Sequence, residues 1–595
     1  MTANVRSVGF TRFVAILTFL VAMCALITAL PATAHATTYY VSVAGTDTAS
    51  GLLGHPVASV QKALHLATSS GDVVSVGPGT FSGDVTMTVS GVSLRGAGAS
   101  MTTLRGDGQN SVIDAENISS GASISGFTIT GGSAVDGGGI YCFQSSIIVT
   151  SNTITGNTAS NEGGGIDADA SGLTISGNTI ANNSGYDGGG ITCGFCSPTI
   201  TSNSITGNTA ADDGSGIYCT HSAPSISGNS ITDNNGGVGA GISCFDASSP
   251  NIANNTIARN ISNGNGGGIY CNTSSPAITG NLVIGNSAPG DDGGGIFCAY
   301  SSSTIDGNTI DNNVAGNDGG GIASVSSTPT ITRDTILGND ALYGGGGIYC
   351  ANPSWPTIVN DVVASNRSTY GGGIYFGAAE PALVNETIAD NSAPHGGSVY
   401  CLSGVQPLVN CIVWGNSTPM SGCSTTYSEL ASDPLFIAPE SGDYHLSADS
   451  PCIDDASATA APAADRDGIP RPWGAGFDIG AYEYYVPTYH TSTSLSAPKS
   501  VKVRKSLTLS GAISPSSASP YAAPGRVTVT MTRKVGRRWR SAGSAKISVV
   551  GGLFTYSFKP RYTGSWHFVA NYSGGAIGPT TYLPSQSGVR GVTVK

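Results

Sequence analysis

Lysine is absent from the chain between Lys62 and Lys499, and between residues 113 and 465 the basic side chains reduce to Arg259, Arg333 and Arg367. Charged residues are only 10% of the 595. A charge-solubilised cytosolic globule is excluded, and the surface must be polar through Asn, Ser and Thr. No segment after residue 36 is apolar enough to cross a bilayer as a helix. Stretches of helical period are missing from the middle of the chain as well. Acids are missing at the end: His490 to Lys595 holds fifteen Lys or Arg and no Asp or Glu. Residues 1–489 therefore carry all 37 acids against ten bases, 10 − 37 = −27, within a formal net charge of −12. A basic tail behind an acidic body points to a polyanionic partner, or to docking of the tail on the body itself.

The one long apolar run, FVAILTFLVAMCALITAL, follows Arg6 and Arg12 and precedes Ala34-His35-Ala36. This is the pattern of a cleaved secretory signal over residues 1–36, with a retained membrane anchor as the rival reading. The expectation is an exported protein at the cell surface, with no transmembrane anchor in the mature chain.

Glycine is abundant, at 85 residues, and much of it is periodic. The apolar residue closing each glycine run recurs as Ile140, Ile166, Ile191, Ile217, Ile242, Ile269, Ile296, Ile322, Ile348, Ile374 and Val399, in steps of 25 to 27. A second series, I-x-x-N or V-x-x-N, runs from Ile154 and Asn157 to Val413 and Asn416, and a P-x-apolar series includes Pro198/Ile200 and Pro407/Val409. Three short alternating segments per repeat, separated by turn residues, predict an all-β chain. Its body is a right-handed parallel β-helix of about thirteen coils of ~26 residues with three strands per coil. A leucine-rich repeat has the wrong spacing, and calcium-binding nonapeptide repeats the wrong period. Coils stack ~4.8 Å apart, so each position becomes a column. Cys142, Cys193, Cys219, Cys244, Cys271, Cys298, Cys350 and Cys401 fall on the inward face, as small buried thiols. Cys193-Gly-Phe-Cys196 has C-x-x-C spacing, but its first cysteine belongs to that inward column, which counts against a redox or zinc site. Cys411, Cys423 and Cys452 lie outside the column and are the better disulfide candidates, with partners open.

The GGG-I and I-x-x-N alternation resembles the GGA-I and F-x-x-N repeats of polymorphic outer-membrane adhesins, although Phe does not fill the column. Residues 38–83, TYYVSVAGTDTASG through GPGTFSG, resemble the opening of secreted β-helix proteins of the pectate-lyase-like superfold. That likeness implies a short capping helix near 58–68. NCIVWGN and the stretch ending DRDGIPRPWGAGFDIGAYEY, within 410–484, are similar to the tail of bacterial surface β-helix proteins that carry varied cell-surface anchors. The last hundred residues alternate apolar and polar over short runs and resemble a bacterial immunoglobulin-like module, a small β-sandwich. The expected division is 1–36 signal, 37–112 cap and first coils, 113–425 regular repeats, 426–487 tail and 490–595 basic sandwich.

Enzymes on this superfold set a standard the sequence does not meet. A polysaccharide lyase needs a Lys or Arg base beside calcium-holding carboxylates. None of the three mid-chain arginines lies in such a pattern, and the hydrolase motifs N-T-D, G-H-G and R-I-K do not occur. Two columns of the repeat carry more. Asp136, Glu162, Asp187 and Asp213 are equivalent in four successive coils, as are Asp292 and Asp318 in two more. Like charges at that spacing invite a cation such as calcium, while Asp-Gly is also good corner chemistry. One residue beyond each glycine-run Ile lies an outward row containing Tyr141, Tyr218, Tyr270, Phe297, Tyr349, Tyr375 and Tyr400. The row is either a strip on which sugar faces stack, with Tyr349, Tyr375 and Tyr400 foremost, or an aromatic ladder that supports the sheet. In the tail, Arg533, Lys534, Arg537, Arg538 and Arg540 form a polyanion-binding candidate. No nucleic-acid motif accompanies them, and any polyanion would give the same salt-sensitive attraction.

The preferred reading is a secreted, non-catalytic β-helix protein for adhesion or polysaccharide binding, attached through its basic module. Its partners would be an extracellular polysaccharide or cell-wall polymer, or a host or neighbouring-cell surface. The alternatives are a carbohydrate-active lyase or hydrolase, and a passive spacer.

Overall fold

The computed structural model describes residues 36–595 except 120, 352, 378–380, 403–406, 486–487, 516–522 and 578–579, so all but the last residue of the expected export signal lies outside the described residues. Each repeat closes one coil of a parallel solenoid, and its strands join three long sheets of sixteen, fourteen and thirteen strands. The segment ending each glycine run enters the thirteen-stranded sheet. There Ile140–Phe143 pairs in parallel with Ile113–Glu116 and Ile166–Asp169, Ile on Ile, and Tyr141 falls between Asp114 and Asp167. The P-x-apolar segments build the sixteen-stranded sheet and the I-x-x-N segments the fourteen-stranded one. Many coils also carry a fourth, mostly two-residue strand, such as Thr158–Ala159, too short for its periodicity to show in the sequence.

Period-two alternation turns every central Ile inward: Ile154, Ile180, Ile205 and Ile231 are fully buried, column upon column. The glycines are required by proximity. Gly163 has φ 67°, and a Cβ there would lie 2.6 Å from Cβ of Asp167; one on Gly165 would lie 2.5 Å from the carbonyl oxygen of Gly190 in the next coil.

The corners are held by amide ladders. Asn208 donates from its backbone N to Asn234 Oδ1 (3.0 Å), and from Nδ2 to the same oxygen (3.1 Å) and to the Ile180 carbonyl (2.9 Å). The next coil repeats the pattern from Asn234 to Asn260. A second ladder, unnoticed in the sequence, runs through Asn152, Asn178, Asn203, Asn229, Asn255, Asn281 and Asn308. A third uses serines such as Ser145 and Ser171. Cys196 occupies that serine column and donates its thiol to the Ala168 carbonyl, which explains the C-x-x-C spacing.

The second amide ladder changes chemistry partway. Asn308 N and Nδ2 donate to Asp334 Oδ1, Asp334 N to Asp361 Oδ1, and Asp361 N to Glu386 Oε2. All three acids are fully buried. Asp334 Oδ2, Asp361 Oδ2 and Glu386 Oε1 stand where an amide would donate, and none has a hydrogen-bond partner. Burial holds the carboxyls of Asp361 and Glu386 well above the usual range and that of Asp334 at about 7.

The helix implied near 58–68 is present as Val60–Leu66, capped by Ser59 and burying Val60, Ala63 and Leu64. At the other end, the tail closes on the solenoid through Arg471. This buried guanidinium pairs with Glu483 (2.7 Å) and donates to the Asp478 and Gly480 carbonyls and to Asn360 Oδ1. Seven inward cysteines, Cys142 to Cys350, are buried free thiols as expected. Cys401 keeps its place in the column, in register with Phe376, but is not a free thiol: it forms a disulfide with Cys423, while Cys411 and Cys452 are buried and free. The reason is local. The chain after the last regular coil continues around the solenoid so that Ser421 pairs in parallel with Tyr400, which brings Cys423 to Cys401. Beyond residue 487 the chain forms small, mainly antiparallel sheets around Val527, Val529, Phe568, Ala570 and Tyr572.

Asn234→Ala removes the acceptor of two buried donors and is expected to cost about 2–4 kcal/mol in denaturant unfolding. For Asp361 the folded carboxyl pKa is raised, so its stabilising contribution is full below about pH 4 and is lost as pH rises. Asp361→Asn restores the amide ladder without a titrating group. Its melting temperature is expected to match wild type near about pH 4 and to exceed it by a few degrees at about pH 8.

Candidate functional site

The outer face of the thirteen-stranded sheet carries both outward columns. The aromatic row is present, but its rings are not equally accessible. Tyr218, Tyr270 and Phe297 are less than a tenth exposed, the last two within a small apolar cluster that includes Ala299 and Ala323. Tyr270 stacks on Phe297 (5.5 Å), Tyr349 on Tyr375 (5.1 Å) and Tyr375 on Tyr400 (5.5 Å). Ring faces along this stretch are covered by neighbouring rings, the arrangement of a sheet-supporting ladder.

Four of the six column acids cap backbone. Asp136 Oδ1 accepts from Glu162 N and Asn161 Nδ2, Asp187 Oδ1 from Asp213 N, Asp292 Oδ1 from Asp318 N, and Asp318 Oδ1 from Gly344 N. Burial first, and then neighbouring carboxylates, lift Glu162 and Asp213 to about 7; burial lifts Asp292 to about 6. Among the described residues no three His, Cys, Asp or Glu side chains converge as a metal centre would require.

Tyr141 differs from the rest of the row. It is half-buried, no ring stacks on it among the described residues, and it lines a cleft of about 450 Å³ with Asp84, Asn110, Asp114, Glu116 and Asp136. Its row neighbours are acids, Asp114 before and Asp167 after, and two residues further along the same strands stand Glu116 and Asp169. Asp136 and Glu162 approach from the corner column. None of these six carboxylates forms an ion pair among the described residues. Asp114 Oδ1 and Asp167 Oδ1 are buried and without a hydrogen-bond partner. Burial, reinforced by Glu162, Asp136 and Asp169, holds the Asp167 carboxyl well above its ordinary value. Burial and the charge of Glu116 raise that of Asp114. The Tyr141 phenol is pushed up to about 12 by burial and the surrounding acids.

Sequence reasoning placed Tyr141, Asp136 and Glu162 here but missed Asp114, Glu116 and Asp169. The coil of Asp114 lacks the glycine cassette, so the repeat register stops short of it. A usable signal existed in IDAE at 113–116 and IDAD at 166–169, the same strand two coils apart with acids at both outward positions.

The basic candidates gather on one hairpin at a sheet edge, where Arg533 lies opposite Arg540 and Lys534 opposite Trp539. Arg533 sits over the Tyr562 ring (4.4 Å) and Trp539 stacks on His567 (3.5 Å), while Lys534, Arg537, Arg538 and Arg540 are exposed.

Two family models match the solenoid. The one described as right handed beta helix region covers residues 205–336, and the one described as periplasmic copper-binding protein (NosD) covers residues 79–265. No curated protein matches the chain. With the coil architecture, these matches support a right-handed parallel β-helix repeat body, and neither spans half of the chain. Among the described residues no helix is long and apolar enough to cross a membrane.

Because four of the six column acids cap backbone amides and no three acids converge among the described residues, millimolar calcium or a chelator is expected to leave the melting temperature unchanged. A saturable rise with calcium would show that the column gathers around a cation.

Proposed function

We propose that the protein works outside the cytoplasm as a polysaccharide-binding β-helix, holding its ligand in the cleft around Tyr141. One observation carries this reading: Tyr141 is the half-buried ring of the row that has no ring partner and lines a cleft, set among hydrogen-bonding carboxylates. An aromatic face flanked by acceptors matches a sugar, which presents an apolar face and a rim of hydroxyl donors. The same carboxylates select by charge. A polymer of uronic acids would bring anions against six unpaired acids, whereas an uncharged or amino-bearing polysaccharide meets no such penalty. The basic hairpin around Arg538 suits attachment of the chain to an anionic envelope polymer, in keeping with its cross-strand Arg533 and Arg540, whose mutual repulsion an anion relieves.

The name of the second matching family raises copper as a ligand. The buried thiol column would be its softest donor set, but fully buried, non-convergent thiols do not form an accessible centre.

Retention on immobilised neutral polysaccharides tests the reading. Tyr141→Ala is expected to weaken binding about tenfold, the equivalent of about 1.4 kcal/mol, and Tyr349→Ala to leave it unchanged. The reverse result would move the binding surface to the stacked strip of Tyr349, Tyr375 and Tyr400. No retention on any polymer would favour the spacer.

A further inference from the structure

We propose that the protein assembles head to tail: the basic hairpin tip of one copy, carrying Arg537, Arg538 and Arg540, docks in the acidic Tyr141 cleft of a second copy. This rests on the reading of that cleft as a binding surface and goes beyond it, because the second copy competes there with polysaccharide.

The hairpin ends in solvent. Strands Arg526–Val535 and Arg538–Ser548 are joined by Gly536-Arg537, and the second strand is the edge of its sheet. Every residue from Lys534 to Ser544 is exposed. Gly536 turns the chain at φ 61°, and nothing lies within 4 Å of a Cβ placed there, so the tip meets no other part of its own chain.

Its charge has no answer within the module. Residues 490–595 carry fifteen Lys or Arg and no acidic side chain. Arg533 stands directly opposite Arg540, and like charges in that register destabilise a strand pair. An arginine-rich edge resists pairing with another edge yet stays open to an acidic surface. Among the described residues, no basic group of the hairpin forms an ion pair with the solenoid of its own chain.

The cleft has the opposite imbalance. Asp84, Asp114, Glu116 and Asp136 line it, and Asp114 keeps one buried oxygen without a hydrogen-bond partner. At about 450 Å³ it is far larger than a single ion needs, and no three acids converge there among the described residues. A guanidinium fits on three counts. Its fork pairs with a carboxylate through two parallel N–H bonds, its plane stacks on an aromatic face such as the unstacked Tyr141, and its long stem carries the charge inward. Arg537, Arg538 and Arg540 present three such groups around one turn.

One contact thus removes both like-charge costs, whereas an anionic polymer on the hairpin relieves only one. The cleft belongs to the first coils and the hairpin to the module that follows the last. The two surfaces differ, so the contact is heterologous, and each docked copy offers a free cleft or hairpin to the next. The product is an open chain of copies, loosened by salt and by any polysaccharide that enters the cleft.

Sedimentation velocity of the chain from residue 37, over a concentration series, tests this. Size is expected to grow with concentration in about 10 mM salt and to return to monomer in about 1 M, as the Debye length falls from about 30 Å to about 3 Å. Arg537→Glu/Arg538→Glu/Arg540→Glu and Asp84→Lys/Asp114→Lys/Glu116→Lys should each weaken self-association at least about 100-fold. A mixture of the two variants should assemble again, since every hairpin then meets a cleft of opposite charge, and this recovery shows that both are folded. A polysaccharide retained by the cleft should disperse the wild-type assembly. A chain that is monomeric at every concentration overturns assembly, docking of the hairpin on its own solenoid included; polysaccharide retention by that monomer leaves the binding reading standing. Assembly without retention on any polymer overturns the binding reading alone. Association that survives about 1 M salt or either charge reversal, or a mixture that stays monomeric, overturns the assignment of the two surfaces. Assembly that a retained polysaccharide does not disperse overturns the shared cleft.

Discussion

Every residue in the solenoid sits against its own equivalent one coil away, and this self-registry is the constraint from which the rest follows. A parallel ladder pairs Ile191 with Ile217 and Ile217 with Ile242, so a side chain that fits once must fit repeatedly. The Ile columns satisfy this because an aliphatic side chain packs well against its own kind. The Asn columns satisfy it because an amide is both donor and acceptor, so each member gives what the next one takes. Glycine satisfies it where neighbouring backbones approach too closely for a Cβ. Self-registry therefore favours a uniform repeat in the inward and corner columns.

The same constraint explains the scarcity of charge. In most folds a carboxylate chooses a basic partner across the sequence; in a stacked column its nearest neighbour is another carboxylate. The acid columns solve this in two ways. Asp136, Asp187, Asp292 and Asp318 each give one oxygen to a backbone N–H of the next coil and so stay satisfied. Asp334, Asp361 and Glu386 enter an amide ladder, where a protonated carboxyl can play the part of the amide it replaces. Both solutions tie the solenoid to protonated or capped acids and make lysine superfluous along its length.

Periodicity made much of this legible. The eleven glycine-run apolar residues and the eleven I-x-x-N asparagines give the coil length and the inward columns directly. What stayed hidden has physical reasons. A two-residue strand such as Ser184–Gly185 carries no period. The second amide ladder alternates with serine and threonine in a polar stretch where any of the three looks at home. Cys401 is bonded to Cys423 because the irregular stretch beyond the last regular coil brings Cys423 beside it, and no repeat encodes that. Period two shows which residues form the aromatic row, but whether a ring is open or covered depends on its neighbours in the stack. Rings with aromatic neighbours in the row cover one another.

This last point locates the site. A column member that matches its neighbours is explained by the stack, whether it is Ile322, Asn260 or Tyr375. A member that breaks its column must be paid for elsewhere or kept for use. Tyr141 between two aspartates is such a break, and IDAE and IDAD place acids where other coils offer Thr, Ser or Tyr. The disruption falls where the glycine cassette begins, so the cleft opens beside coils whose corners are less regular. Corner acids with backbone partners are scaffold; Asp114 and Asp167, alike in chemistry but each with one buried oxygen unpartnered, are where the scaffold stops explaining the sequence.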